Sequence, residues 1–145
     1  MARYTRMQTL NCMIETRLVP VFNHADAEIV CAVAKACAAG GARVIEFTNR
    51  SDHAHEVFAL LEKFCAKELP QMITGVGSIV DPGAAALYLN SGANFVVGPT
   101  TNPEVARMCN RRKIPYMPGC GTATEISAAE ELGCEIVKVF PGKEV

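Results

Sequence analysis

Apolar positions along this chain fall into two alternating patterns. Short continuous runs predict strands at 17–22 (RLVPVF), 43–47 (RVIEF), 71–79 (QMITGVGSI), 94–98 (NFVVG), 114–118 (IPYMP) and 135–140 (EIVKVF). Between them apolar residues recur at helical spacing, which predicts helices over 5–15, 25–39, 53–67, 82–91, 103–112 and 123–132. Gly40-Gly41, Gly92 and Gly133 stand where those helices should stop, because glycine readily closes a helix end. Asp81-Pro82 and Asn102-Pro103 read as the opposite end, a capping side chain followed by proline at the first helical position.

Six strand-and-helix steps of roughly 20–28 residues result, the length of a repeated unit. Alternation of this kind predicts an α/β fold, a parallel sheet covered by helices. An open doubly wound sheet and a (β/α)8 barrel both satisfy it. In an open sheet, special residues gather at one switch point. In a barrel, every C-terminal strand end faces the same site. Here nearly every end is marked: Glu46 to Arg50, Gly75 to Ser78, Gly98 to Thr101, Pro118 to Thr122, and Lys138, Phe140 and Pro141. That favours the (β/α)8 TIM-barrel type, with only about six βα units present. Residues 1–145 read as one barrel domain, C-terminally incomplete, since a full barrel needs about 200 residues or more.

Composition narrows the function. Half of the chain is apolar, and the net charge is −1 with no basic block, which argues against nucleic acid or an anionic membrane as partner. No apolar run approaches a membrane span, and the first residues lack a secretory leader pattern, so a cytoplasmic setting is expected. The seven cysteines are scattered without a C-x-x-C pair and read as reduced core residues. His53-x-His55 has no further ligands at metal spacing, so no metal is expected there.

The candidate chemistry begins with EIVKVFPG, where Lys138 interrupts an apolar run. A lysine is costly to bury without compensation. It is either an edge residue reaching solvent along its apolar stem or a catalytic amine. Glu46 should share one strand face with Val44 and Thr48, opposite Ile45 and Phe47. It is either half of a buried ion pair with Arg50 or Lys138, or a general base tuned by those cations. Arg50 offers a planar fork suited to a carboxylate or phosphate, or is a solvated loop residue. In GVGSIV, Val80 stands where a dinucleotide fingerprint needs its third glycine. Gly75 and Gly77 read instead as allowing close backbone approach to a ligand, with the Ser78 hydroxyl as donor. Lys138, Glu46, Arg50 and Ser78 sharing a barrel mouth would make a Schiff-base constellation, in which an amine must be neutral to attack a ketone.

Five segments in order, RVIEFTNR (43–50), GVGSIV (75–80), FVVGP (95–99), IPYMPG (114–119) and VKVFPG (137–142), resemble the KDPG/KHG aldolase family. The resemblance runs from about Arg17 to the last residue. It implies a class I aldolase that cleaves 2-keto-3-deoxy-6-phosphogluconate or 4-hydroxy-2-oxoglutarate to pyruvate and an aldehyde, with no cofactor. By motif, Lys138 would form the imine and Glu46 would shuttle protons. Arg50 would hold the pyruvate carboxylate, and Ser78 would supply the hydroxyl that many members take from threonine. Pro99 and Phe140 would line the pocket. Asn49 departs from an apolar residue common before the arginine. The resemblance implies a homotrimer and two further strands bearing the substrate-phosphate loops, which nothing in these 145 residues matches. Two rivals stand beside it: a non-catalytic phosphate- or nucleotide-binding α/β domain, and a barrel isomerase or epimerase that uses Glu46 without an imine.

Overall fold

The computed structural model describes residues 2–143. Its elements in chain order are α1 (Arg6–Thr16), β1 (Val21–Phe22), α2 (Ala27–Ala39), β2 (Val44–Thr48), α3 (Ala54–Glu68), β3 (Ile73–Gly77) and α4 (Pro82–Asn90). They continue with β4 (Val96–Val97), α5 (Pro103–Arg112), β5 (Tyr116–Met117), β6 (Gly119–Cys120), α6 (Ala123–Glu131) and β7 (Lys138–Val139). Strands β1 to β5 form one parallel sheet in chain order, and β6 pairs in parallel with β7. A strictly sequential order has no switch point. This is an arc of a (β/α) barrel of the TIM type, and not a doubly wound sheet.

Several strands are shorter than the apolar runs predict, and proline accounts for two of them. Pro20 has no N–H to give, so β1 begins at Val21, although the Pro20 carbonyl still accepts from Glu46 N at 2.8 Å. Pro118 ends the next-to-last run after β5, which pairs with β4, and the chain resumes beyond it as β6, which pairs with β7. Its carbonyl accepts from Lys138 N at 2.8 Å. A Cβ on Gly119 would collide with the Pro99 carbonyl, so this crossing of strands requires glycine. Around β4, bonds from Asn94 N to Thr74 O at 2.9 Å and from Gly98 N to Met117 O at 3.1 Å extend the ladder across the full predicted 94–98.

The helices begin as their capping residues dictate. Asp26, Asp81, Asn102 and Thr122 each accept from a backbone N–H of the first turn, and proline opens both α4 and α5. Such caps contribute roughly 1 kcal/mol each. Helix α1 adds a full capping box between Thr5 and Gln8.

Alternation along the strands divides the core in two. Outward residues, among them Ile45, Phe47, Val76, Val96 and Tyr116, pack with the helix layer. Inward residues Val44, Ile73, Phe95, Val97 and Met117 pack with Cys12 and Met13 of α1, which therefore covers one end of the inner face. On the last strand, Ile136 packs with the inner cluster and Val137 with the outer one. Pairing of Gly119 with Lys138 fixes this parity and leaves Val139 50% exposed.

Two carboxylates are buried among the described residues, Glu46 and Glu62. Glu62 is fully partnered. Arg3 Nε donates to its Oε1 at 2.6 Å and the Thr74 hydroxyl donates to Oε2. Asn94 joins this cluster, with its Oδ1 accepting from Arg3 N at 2.9 Å and Tyr4 N at 3.0 Å. The N-terminal segment is thereby tied to the starts of β3 and β4. Among the described residues no helix is long and apolar enough to cross a membrane.

Candidate active site

Glu46 lies on the inner face of β2, with Val44 and Thr48, as alternation predicts. It is 5% exposed. Unlike Glu62, its carboxylate makes no hydrogen bond and no ion pair among the described residues. Burial pushes its pKa above the ordinary carboxylate value of 4.5, while the positive charges of Lys138 and Arg50 oppose that rise. The cations are thus near enough to act through space without closing a contact. A simple buried ion pair, the structural alternative for Glu46, is not what the geometry contains.

Room for this carboxylate comes from β3. Glu46 pairs with Gly75 across the sheet, and its side chain leans over Gly77. A Cβ at Gly77 would sit 2.6 Å from Glu46 Cδ and closer still to Oε1. A Cβ at Gly75 would enter the Phe95 ring. The two glycines were expected to admit a ligand. They admit the protein's own Phe95 and Glu46, and both lie inside a strand, not in a phosphate-cradling turn. This removes the basis for reading GVGSIV as a dinucleotide site.

Lys138 points to the same space. A cavity of about 230 Å³ is lined by Val19, Glu46, Phe95, Val97, Met117, Ile136, Val137 and Lys138. Among the described residues its only ionisable lining groups are one carboxylate and one amine, set among apolar walls. Lys138 is half-buried, and its Nζ lies 4.9 Å from the centroid of the Phe140 ring. Phe140 is 37% exposed and caps the amine from outside the cavity. Pro99 is half-buried and also stands outside that lining, with its carbonyl packed over Gly119.

Arg50 and Ser78 come together at the exits of β2 and β3, where Arg50 Nε donates to Ser78 Oγ at 3.0 Å. Ser78 takes a left-handed φ of 61°, uncommon for a residue with a Cβ, which turns the chain out of β3. Arg50 is exposed, and its terminal nitrogens make no hydrogen bond among the described residues. A larger concavity of about 700 Å³ lies elsewhere, against α1 and α5, lined by Tyr4, Arg6, Leu89, Arg111 and Lys113 among others. It contains no carboxylate and no nucleophile set against a base, so size alone does not make it the chemical site. No group of three or more metal-ligating side chains occurs among the described residues, and His53 and His55 instead lie beside Glu56 at the start of α3.

The family model for KDPG and KHG aldolase matches residues 10–145. The chain belongs to the KDPG and KHG aldolase family. A 2-dehydro-3-deoxy-phosphogluconate aldolase of Treponema pallidum is 35% identical over 127 residues, covering 88% of this chain and 59% of that protein. One from Haemophilus influenzae is 31% identical over 140 residues, covering 97% of this chain and 64% of its own length. The chain therefore spans about three fifths of the length of the curated relatives it matches. Among solved aldolases of the family, that of Legionella pneumophila, with pyruvate captured as a covalent carbinolamine, superposes with a TM-score of 0.79 at 27% identity. The superposition covers 87% of this chain and 59% of that one. These likenesses agree with the α/β barrel arc read from the strand order.

Proposed function

We propose that this chain carries the imine-forming centre of a class I aldolase, a carbon–carbon lyase acting on a 2-keto-3-deoxy-6-phosphogluconate or 4-hydroxy-2-oxoglutarate type substrate. The observation that carries the reading is a buried glutamate, Glu46, whose carboxylate has no protein partner among the described residues and opens on a small apolar cavity shared with the Lys138 amine. A fold that leaves one buried carboxylate without partners, while fully satisfying another, forgoes stability at that position. Such sites are where chemistry is found. Family membership and the covalent pyruvate adduct of the Legionella enzyme support the same reading.

In this mechanism the Lys138 amine attacks the 2-keto carbon and water leaves, giving a protonated imine that serves as electron sink. Glu46 takes the 4-hydroxyl proton as the C3–C4 bond breaks, and the aldehyde departs. The remaining enamine is protonated at C3 and hydrolysed, which releases pyruvate and restores the amine. A pKa raised by burial makes Glu46 a stronger base than a solvated carboxylate. Arg50, held at Nε by Ser78, keeps its terminal nitrogens available for the substrate carboxylate. Phe140 and Pro99 shape the approach to the amine. The protein acts in the cytoplasm, a reading supported by the apolar pattern of the chain and testable by fractionation, and works on a small keto acid as a homotrimer, readings supported by the motif resemblance and testable by light scattering.

Borohydride reduction in the presence of pyruvate tests the centre. A stable mass increment should map to Lys138 and vanish in Lys138→Ala. Label on another lysine, with Lys138→Ala trapped to full extent, excludes the assignment.

A further inference from the structure

Asn49, the departure from the family pattern, has a clear place in the fold. Residues Ile45 and Phe47 face the helix layer, and Asn49 continues that parity past the end of β2. There its Oδ1 accepts a 2.9 Å hydrogen bond from the Tyr88 hydroxyl of α4. Tyr88 is 1% exposed. Its ring meets Phe58 edge-on, with centroids 5.3 Å apart at 71°, and Phe58 lies 6.3 Å from Phe47. An aromatic row thus runs behind β2 and ends in a single polar contact, to Asn49. Burial holds the phenol pKa at about 12, so the hydroxyl stays protonated and able to donate.

The same turn is tied down on its other sides. Asn49 N donates to Gly77 O at 2.9 Å, and Asn23 Nδ2 donates to Thr48 O at 2.6 Å. The next residue is Arg50, whose Nε reaches Ser78. Arginine is rich in rotamers, and an exposed one presents a fork reliably only if its backbone is fixed. With an apolar residue at 49, the Tyr88 hydroxyl would be buried without its acceptor, so the two positions depend on each other.

We infer that Asn49 and Tyr88 are positioning residues, which lock the 48–50 turn so that Arg50 presents its guanidinium to the carboxylate of a 2-oxo acid. The inference rests on the aldolase reading above. Neither side chain touches substrate. Both act through Arg50, so their loss should weaken capture of the carboxylate more than it slows bond cleavage.

The test measures borohydride trapping against pyruvate concentration, with steady-state KM and kcat, in Asn49→Ala, Tyr88→Phe and the double variant. Tyr88→Phe keeps the aromatic packing and removes only the hydroxyl. Each single variant should raise the half-trapping concentration and KM about three- to tenfold, the effect of losing one hydrogen bond. The kcat should stay within about twofold. The double variant should be no worse than the worse single, because both changes remove the same bond. Asn49→Asp keeps the acceptor oxygen and should restore most of the affinity. Trapping with unchanged concentration dependence in both singles overturns this proposal alone. So does a double variant whose effects multiply. Absence of trapping in the unaltered protein overturns the aldolase reading, and this proposal with it.

Discussion

Gly77→Ala offers a direct test of where the Glu46 carboxylate acts. The substitution adds one methyl group on the inner face of β3. Gly77 does not use the left-handed region that only glycine takes easily, so alanine suits the backbone. The conflict is with Glu46. The new Cβ would stand 2.6 Å from Cδ, whereas ordinary contact begins at 3.4 Å, so the carboxyl carbon must retreat by about 0.8 Å and the closer Oε1 by more. The atoms in conflict are the far end of a flexible side chain, next to a cavity of about 230 Å³, so the carboxylate can yield without unfolding the sheet. The fold should survive while the base is displaced. A misplacement near 1 Å at a reacting group can cost about 100-fold in rate, so turnover should fall roughly 10- to 100-fold. Imine formation depends on Lys138 and should be affected less. The assay pairs steady-state aldol cleavage with pyruvate–borohydride trapping, and a thermal melt checks folding. Turnover within twofold of the unaltered protein would show that Glu46 does not act from this position. Equal loss of cleavage and trapping would show that the methyl closes the cavity to the amine and leaves the base untested, so Gly77→Ser, which overfills it further, should then abolish both.

Glu46→Gln should lower turnover by roughly 10²–10⁴-fold, the usual contribution of an acid–base group, and near-normal turnover would make Glu46 structural. The same variant should be more stable than the parent at neutral pH. The folded pKa of Glu46 is raised, so its contribution to stability is full below the unfolded pKa and is lost as pH rises through the folded one. The gain in melting temperature should therefore shrink toward acid pH, and an equal gain at all pH values would contradict it. Arg50→Lys keeps the charge but not the fork, so KM for substrate should rise more than kcat falls, and an unchanged KM would take Arg50 out of the carboxylate site. Arg3→Ala leaves Glu62 without its cation and should cost about 3 kcal/mol in urea unfolding, the scale for breaking a buried pair, whereas a loss near zero would mean Thr74 alone suffices.

Much of this arrangement is legible in the sequence, for local reasons. The caps at Asp81 and Asn102 are written within three residues of the helices they start. The facing of Glu46 follows from strand parity, which needs only its neighbours Val44, Ile45 and Phe47. What escapes is set by residues distant along the chain. Arg3 and Glu62 are 59 positions apart, and nothing in the stretch AHEVFALLEKFCAKE marks its one buried glutamate. The occupants of the space at Gly75 and Gly77 come from other strands, so a glycine pair that suggests a ligand is filled by Phe95 and Glu46. The parity of the last strand is equally invisible, because alternating valines surround Lys138 and only its pairing with Gly119 decides which face it takes. Asn49 reads as a mere departure until Tyr88, 39 positions on, supplies its partner.

The two glycines of β3 also explain why the inner face can hold a site at all. A barrel interior is normally filled by layers of branched side chains, packed as tightly as any core. Here the end covered by α1 obeys that rule, with Cys12, Met13, Val44 and Ile73 in one buried apolar cluster. One step further, Gly75 yields its share of the layer to the whole ring of Phe95, which closes the floor with an aromatic face. At the next inward position, Gly77 yields again, this time to a carboxylate that brings no packing partner of its own. Had β3 carried valine at both places, the outer layer of the helices would be unaffected, since Thr74 and Val76 face the other way. The inner face would simply be full. Phe95 and Glu46 therefore have room to line the cavity because one strand omits two side chains in alternate register, and the first omission is refilled by carbon while the second is refilled by charge. Stability is secured at the floor, and it is relinquished only where Glu46 meets Lys138.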